Sequence, residues 1–198
     1  MLYVNALNLQ ETVAPTQEPV TTAQVKTHWH IDTDDHDNYL DTLIPAARAH
    51  VESYTGRVLV ERTLRADLRN WDSEVILPKP PLISVTSVKY FDTSNVQQTW
   101  GLANYQVDRP GGRILIAATG SIPAYFYRFD SWQVTFTAGY ESTTSPQDFR
   151  KPVPDALKSA IKLIVGTLFV HRATVITGQI IAENPAWEML MNPYRTRI

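Results

Sequence analysis

The run Ser84-Val-Thr-Ser-Val-Lys-Tyr-Phe-Asp92, closed by Thr93-Ser-Asn95 and followed by Gln97-Gln-Thr-Trp100, sets the fold class. Val85, Ser87, Lys89 and Phe91 alternate with Thr86, Val88 and Tyr90, the period of a strand with two unlike faces. The residues between the two runs are turn formers and too few to hold a crossover helix, so neighbouring strands here pair antiparallel. On the same grounds strands are predicted at 62–71, 84–92, 97–100, 105–108, 113–117 and 131–138, with a further turn at Pro110 to Gly112.

Outward from this block the period changes to that of helices. Thr21 and Gln24 have capping-box spacing, and Val20 and Val25 the spacing of a hydrophobic staple, which predicts a helix over 22–29. Leu40, Leu43, Ile44, Ala47, Val51 and Tyr54 recur at three- and four-residue steps, a second helix of roughly 20 residues and about 30 Å that stops at Gly56. Pro45 removes one donor from its middle and is expected to bend it.

Beyond the strands, Pro154 in the first helical position with Asp155 beside it opens a third helix running to about 175. Its wide stripe of Ala156, Leu157, Ala160, Ile161, Ile164, Val165, Leu168 and Phe169 suits the central helix of the core. A short helix is predicted around 186–191, between Pro185 and Pro193. The first 20 residues, with Pro15 and Pro19, show neither period and read as an extended arm. The fold class is therefore α+β: a helical core of three to four helices, with an antiparallel β insertion between the second and third. The segments are an arm at 1–20, core at 21–60 and 151–175, the insertion at 61–150, and a tail at 176–198.

Composition narrows the function. The 198 residues are 43% hydrophobic, enough for a real core, and contain no Cys, which removes disulfides, thiolate metal sites and Cys nucleophiles. No stretch approaches a membrane span, and the N-terminus lacks a basic signal region. A net charge of -2 gives no general attraction to nucleic acid. Charge is uneven, however: residues 1–60 carry three basic and eight acidic side chains, and residues 151–198 carry six basic and three acidic. Opposite ends can therefore attract within a chain or between neighbours.

Three groups of residues invite a functional reading. His28, His30, Asp32, Asp34, Asp35, His36, Asp37 and Asp41 crowd 14 positions without a Lys or Arg. A calcium loop starting at Asp32 fails, since His36, Asp37 and Leu43 occupy the fifth, sixth and twelfth places, and zinc lacks its helical His-Glu-x-x-His motif. A solvated interhelical turn accounts better for the acids, which favour the positive start of the second helix. His50 and His171 fall on helices without a nucleophile elbow or phosphate loop anywhere in the chain. Arg62, Arg65 and Arg69 fit a solvated sheet face, with Arg65 and Arg69 on one side and Arg62 on the other. Tyr125, Phe126, Tyr127, Phe129 and Trp132 are either sheet core or an intersubunit patch. Trp187, Met189, Leu190, Met191 and Tyr194, with Arg195 and Arg197, compose either an interface anchor or a cover for the domain's own core.

Five strings carry a resemblance: Val20 to Lys26, Glu52-Ser-Tyr-Thr-Gly-Arg57, Leu77-Pro-Lys-Pro-Pro-Leu-Ile-Ser-Val-Thr-Ser-Val88, Thr135-Phe-Thr-Ala-Gly-Tyr140, and Val153-Pro-Asp-Ala-Leu-Lys158. In this order, over residues 20–175, the chain resembles the head-tail connector family of tailed bacteriophages. The resemblance implies a structural virion protein without catalytic centre or cofactor. It implies a ring of copies, generally a dodecamer, below the portal protein, assembled in the host cytoplasm. The ring would extend the channel for genomic DNA, without sequence-specific binding, and would dock the next neck or tail-completion protein. Terminal segments of such proteins commonly meet the portal, which favours Trp187 to Arg197 as that contact. The acids Asp32, Asp34, Asp35, Asp37 and Asp41 then face the channel or an adjacent subunit. The lead-in, Pro45 and the tail beyond 175 depart from the family pattern. The rival readings are a metal-dependent enzyme centred on the His and Asp turn, and a monomeric module holding a ligand on its β lobe.

Overall fold

The computed structural model describes residues 6–140, 152–170 and 186–196. In chain order these form strand β1 (Ala6–Val13), helices α1 (Thr22–Trp29) and α2 (Asp37–Thr55), and strands β2 (Arg62–Leu68), β3 (Glu74–Ile76), β4 (Leu82–Phe91), β5 (Gln97–Trp100), β6 (Tyr105–Asp108), β7 (Arg113–Ile116) and β8 (Trp132–Ala138). Helices α3 (Asp155–Val170) and α4 (Ala186–Met191) follow. The fold is mixed α+β, and the chain divides into two compact units. One comprises Met1–Thr16 and Val60–Arg150, with Ile198; the other comprises Gln17–Leu59 and Lys151–Arg197.

In the strand unit, a five-stranded antiparallel sheet has the order β1-β2-β8-β4-β5, and a three-stranded antiparallel sheet the order β3-β7-β6. Pairing of Leu64 and Val85 with Phe136, and of Ala66 and Val88 with Val134, lines up one apolar face. Simple alternation placed Val85 and Val88 on opposite sides, and the structure corrects this. The register slips between Val85 and Ser87, so Thr86 forms a bulge that resets the side on which the following residues point. On the other face Thr63, Arg65 and Asp67 stand beside Thr137, Thr135 and Gln133.

β1 and β3 were not foreseen. β1 pairs with β2 along residues read as an extended arm; it is an edge strand, exposed from Gln10 to Val13, and its register shifts twice, so no period survives in its sequence. β3 has only three residues, too few to show one. The centre of this unit is aromatic: Trp71, Trp100 and Trp132 sit with ring centroids 4.9 to 5.2 Å apart. Tyr90 and Tyr125 pack on Trp132, and Tyr105 of β6 stacks on Trp100 of β5, joining the two sheets.

The helical unit starts as the sequence indicates, with Thr21 and Gln24 exchanging capping-box hydrogen bonds at the start of α1. α2 runs through Pro45 and ends at Gly56, whose φ of 71° is the left-handed conformation that glycine adopts freely. α3 begins one residue later than expected: the Pro154 carbonyl accepts from Leu157 and Lys158 at 2.9 and 3.1 Å, which makes Pro154 the cap and Asp155 the first helical residue. α3 buries Leu157, Ala160, Ile161, Ile164 and Val165 and touches each of the other three helices. It also carries Gly166, where any side chain would overlap the indole of Trp29. That indole donates to the Lys162 carbonyl at 2.8 Å, so α1 is seated on α3 through one ring lying over one missing side chain. The predicted extension of α3 to 175 and His171 lie outside the described residues.

Candidate assembly surfaces

The acidic turn is held by a lysine from just outside it. Lys26 on α1 donates to Asp34 at 2.5 Å and to Asp37 at 2.9 Å, and the Thr22 hydroxyl donates to Asp41. The bond from Lys26 keeps the Asp34 carboxyl below its usual range, and the same carboxylates hold the Lys26 ammonium above its own. Asp32 and Asp35 remain exposed, without a hydrogen bond or ion pair to any described residue. The histidines do local work: His30 is the left-handed C-cap of α1, His28 meets Trp29 edge-on, and His36 meets Phe169. Among the described residues no three His, Asp or Glu side chains converge on a common point for a metal ion.

The string Glu52 to Arg57 acquires a physical meaning. Glu52 is buried; its carboxylate accepts from Arg48 Nη1 at 3.0 Å and from the Leu59 amide at 2.8 Å. Burial alone would push the Arg48 guanidinium down, yet its bonds to Glu18 and Glu52 hold it above its ordinary value. Tyr54 donates to Asn192 at 2.6 Å, Arg57 donates to the Tyr194 carbonyl at 2.6 Å, and the Thr196 amide donates to the Thr55 carbonyl at 2.8 Å. The end of α2 is thus a seat for the C-terminal segment. A Cβ at Gly56 would collide with the Thr196 hydroxyl, a second reason for glycine there.

This seat sorts the aromatic and basic tail residues. Met191 is fully buried within the helical unit, Trp187, Leu190 and Tyr194 are half-buried, and Met189 and Arg195 are exposed. Met191 therefore packs inward. Arg197 lies outside the described residues.

In the strand unit, the residues from 117 to 131 form a loop without regular structure between β7 and β8. Trp132 is core, and Tyr125 leans on it, whereas Phe126, Tyr127 and Phe129 are 45%, 67% and 72% exposed. The loop is pinned despite its irregularity. Phe126 donates its amide to the Phe91 carbonyl, Ser131 accepts from the Arg128 amide, and Arg128 lies over the Phe91 ring while pairing with Asp130 and Asn95. Burial would raise the Asp130 carboxyl, but Arg128 holds it below its usual range. Arg65 does lie on the polar sheet face opposite Arg62. Arg69 does not share it: the strand ends at Leu68, and the guanidinium lies 4.7 Å from the centre of Phe129 and 5.9 Å from that of Tyr127. Face-counting along a strand missed this contact because Arg69 is already past the strand.

Residues 20–96, from the staple valine to the turn that follows β4, match the family described as Phage gp6-like head-tail connector protein. Over these residues the chain resembles the head-tail connector family. The likeness in fold extends well beyond them. The neck of an empty gene transfer agent particle, determined with C6 symmetry, matches with a TM-score of 0.75 at 22% identity, covering 97% of each chain. The neck of the native particle, with C12 symmetry, matches with a TM-score of 0.72 at 22% identity over 97% of each chain. The native virion of the same agent gives 0.73, again at 22% identity and 97% coverage of both. No curated protein matches the chain. Among the described residues, no helix is long and apolar enough to cross a membrane.

Proposed function

We propose that the chain is a structural neck subunit that forms a homo-oligomeric ring below the portal of a tailed particle and continues its DNA passage. The observation that carries this reading is the connector-family match over residues 20–96, extended by a neck-protein fold over 97% of the chain. The related necks have C6 and C12 symmetry, and a closed ring of that kind repeats one contact between two different faces of each subunit.

Within the ring, the acids Asp32, Asp34, Asp35, Asp37 and Asp41 face either the passage or an adjacent copy. An acidic lining suits a conduit, because phosphates bound by basic side chains would resist sliding. The exposed side of the tail, with Met189 and Arg195, faces the portal, and the opposite end of the ring receives the next neck or tail protein. The role is structural, in the virion at the head–tail junction.

The test is imaging of heads that carry the portal, with and without the purified full-length chain. A ring of added density beneath the portal is expected. Heads that look the same in both samples would overturn the proposal. Deleting the tail would strip Met191 from the helical core, so the portal contact is better probed by Met189→Asp, which leaves that core intact.

A further inference from the structure

Among the described arginines of the strand unit, Arg69 stands apart. It makes no hydrogen bond or ion pair with any described residue, in a unit where Arg62, Arg65, Arg113 and Arg128 are all matched to carboxylates. Its contacts are instead the rings of Phe129 and Tyr127, both largely exposed. The rings lie against the guanidinium, and its five donors have no partner among the described residues, an arrangement suited to receiving a carboxylate in two-pronged fashion. The loop that presents the rings is pinned by Ser131, Arg128 and the Phe91 carbonyl, so little ordering remains to be done on contact. Rigid exposed aromatics beside an arginine are the composition of an interface hot spot.

The complementary group is on the same chain type. Asp32 and Asp35 are the exposed acids of the turn that Lys26 does not engage, and neither has a partner among the described residues. Lys26 instead spends its charge on Asp34 and Asp37, which braces the turn and leaves these two carboxylates presented outward. We infer that the Arg69–Tyr127–Phe129 bracket of one copy receives the Asp32–Asp35 turn of the next. The inference rests on the ring reading above and assigns one contact within it. The two faces differ, so the contact passes from copy to copy around a ring and does not close a pair.

The test places a photoreactive phenylalanine analogue at position 129 of the full-length chain and irradiates assembled particles. A cross-link to residues 31–37 of a second copy is expected. A cross-link to any other segment or protein, or none, would overturn the contact while leaving the neck reading intact, provided the chain is detected in the particles. A chain that is absent from particles sinks both. In parallel, Arg69→Glu should lower incorporation about tenfold or more through like-charge repulsion, and adding Asp32→Arg with Asp35→Arg should recover most of it. Arg69→Glu that melts like the parent and incorporates normally rejects the contact, as does a charge swap that restores nothing.

Discussion

The two units of this chain are built on opposite chemistries. The strand unit is centred on aromatic rings packed edge-on and tilted, and its one buried described carboxylate, Asp67, pairs with Arg65 on the sheet face away from them. The helical unit has an aliphatic core and places a buried ionic relay, Glu18 to Arg48 to Glu52, at the point where chain direction changes. The difference shows where each unit is fragile: the first through loss of volume, the second through loss of a partner or of close approach.

Removing the central ring should have the largest effect. Trp132→Ala empties the middle of the aromatic cluster, where burial is complete, and should cost about 3–5 kcal/mol. Chemical denaturation would measure it, and a cost under about 1 kcal/mol would mean that the cluster does not organise the sheet.

In the helical unit, Glu52→Ala leaves Arg48 with one carboxylate and the Leu59 amide without its acceptor. Breaking a buried pair costs about 3–5 kcal/mol, and Glu18 should hold the loss near the lower end. Glu52→Gln, which retains an acceptor for the amide, should recover part of the loss. Equal denaturation midpoints for the two variants would show that charge alone matters.

A third variant tests close approach. Gly166→Ala improves helix propensity by about 1 kcal/mol but forces the Trp29 ring off α3, at about 1–3 kcal/mol for overpacking. Net destabilisation and a shifted Trp29 emission are expected; a more stable protein would contradict the seating of α1.

The smallest effect concerns pH. The Asp34 carboxyl is fully solvent-facing and held below its usual pKa by Lys26, so its contribution is present above the unfolded pKa of about 3.9 and fades as pH falls through the lower folded value. Asp34→Asn should flatten the acid limb of stability below about pH 4 only slightly. A large change at neutral pH would point to a different role for the turn.

Legibility in the sequence followed the periodicity. α1 was bounded by its capping box, α2 by its stripe and Gly56, and β5 and β6 by their turns, because each signal is local. β1 was invisible, since an edge strand exposed over most of its length has no apolar pattern to show. The bulge at Thr86 defeated alternation for a related reason: a single extra residue inverts the faces and leaves no trace in composition. At the surfaces, the acidic turn and the exposed loop rings were readable as candidates. Neither the Lys26 brace nor the Arg69 bracket was, for both join residues on separate elements. Met191 had the composition of an anchor, yet the string Glu52 to Arg57 that seats the tail lies more than 130 positions away.

Three indoles held at 4.9 to 5.2 Å lie near enough for their excited states to couple. Absorption and circular dichroism of the native chain should therefore carry a split ultraviolet band from Trp71, Trp100 and Trp132, while Trp29 and Trp187 respond independently as emitters in the helical unit. One unlabelled sample then holds two optical reporters, one for each unit, and heating it would reveal whether the strands and the helices come apart together or in turn.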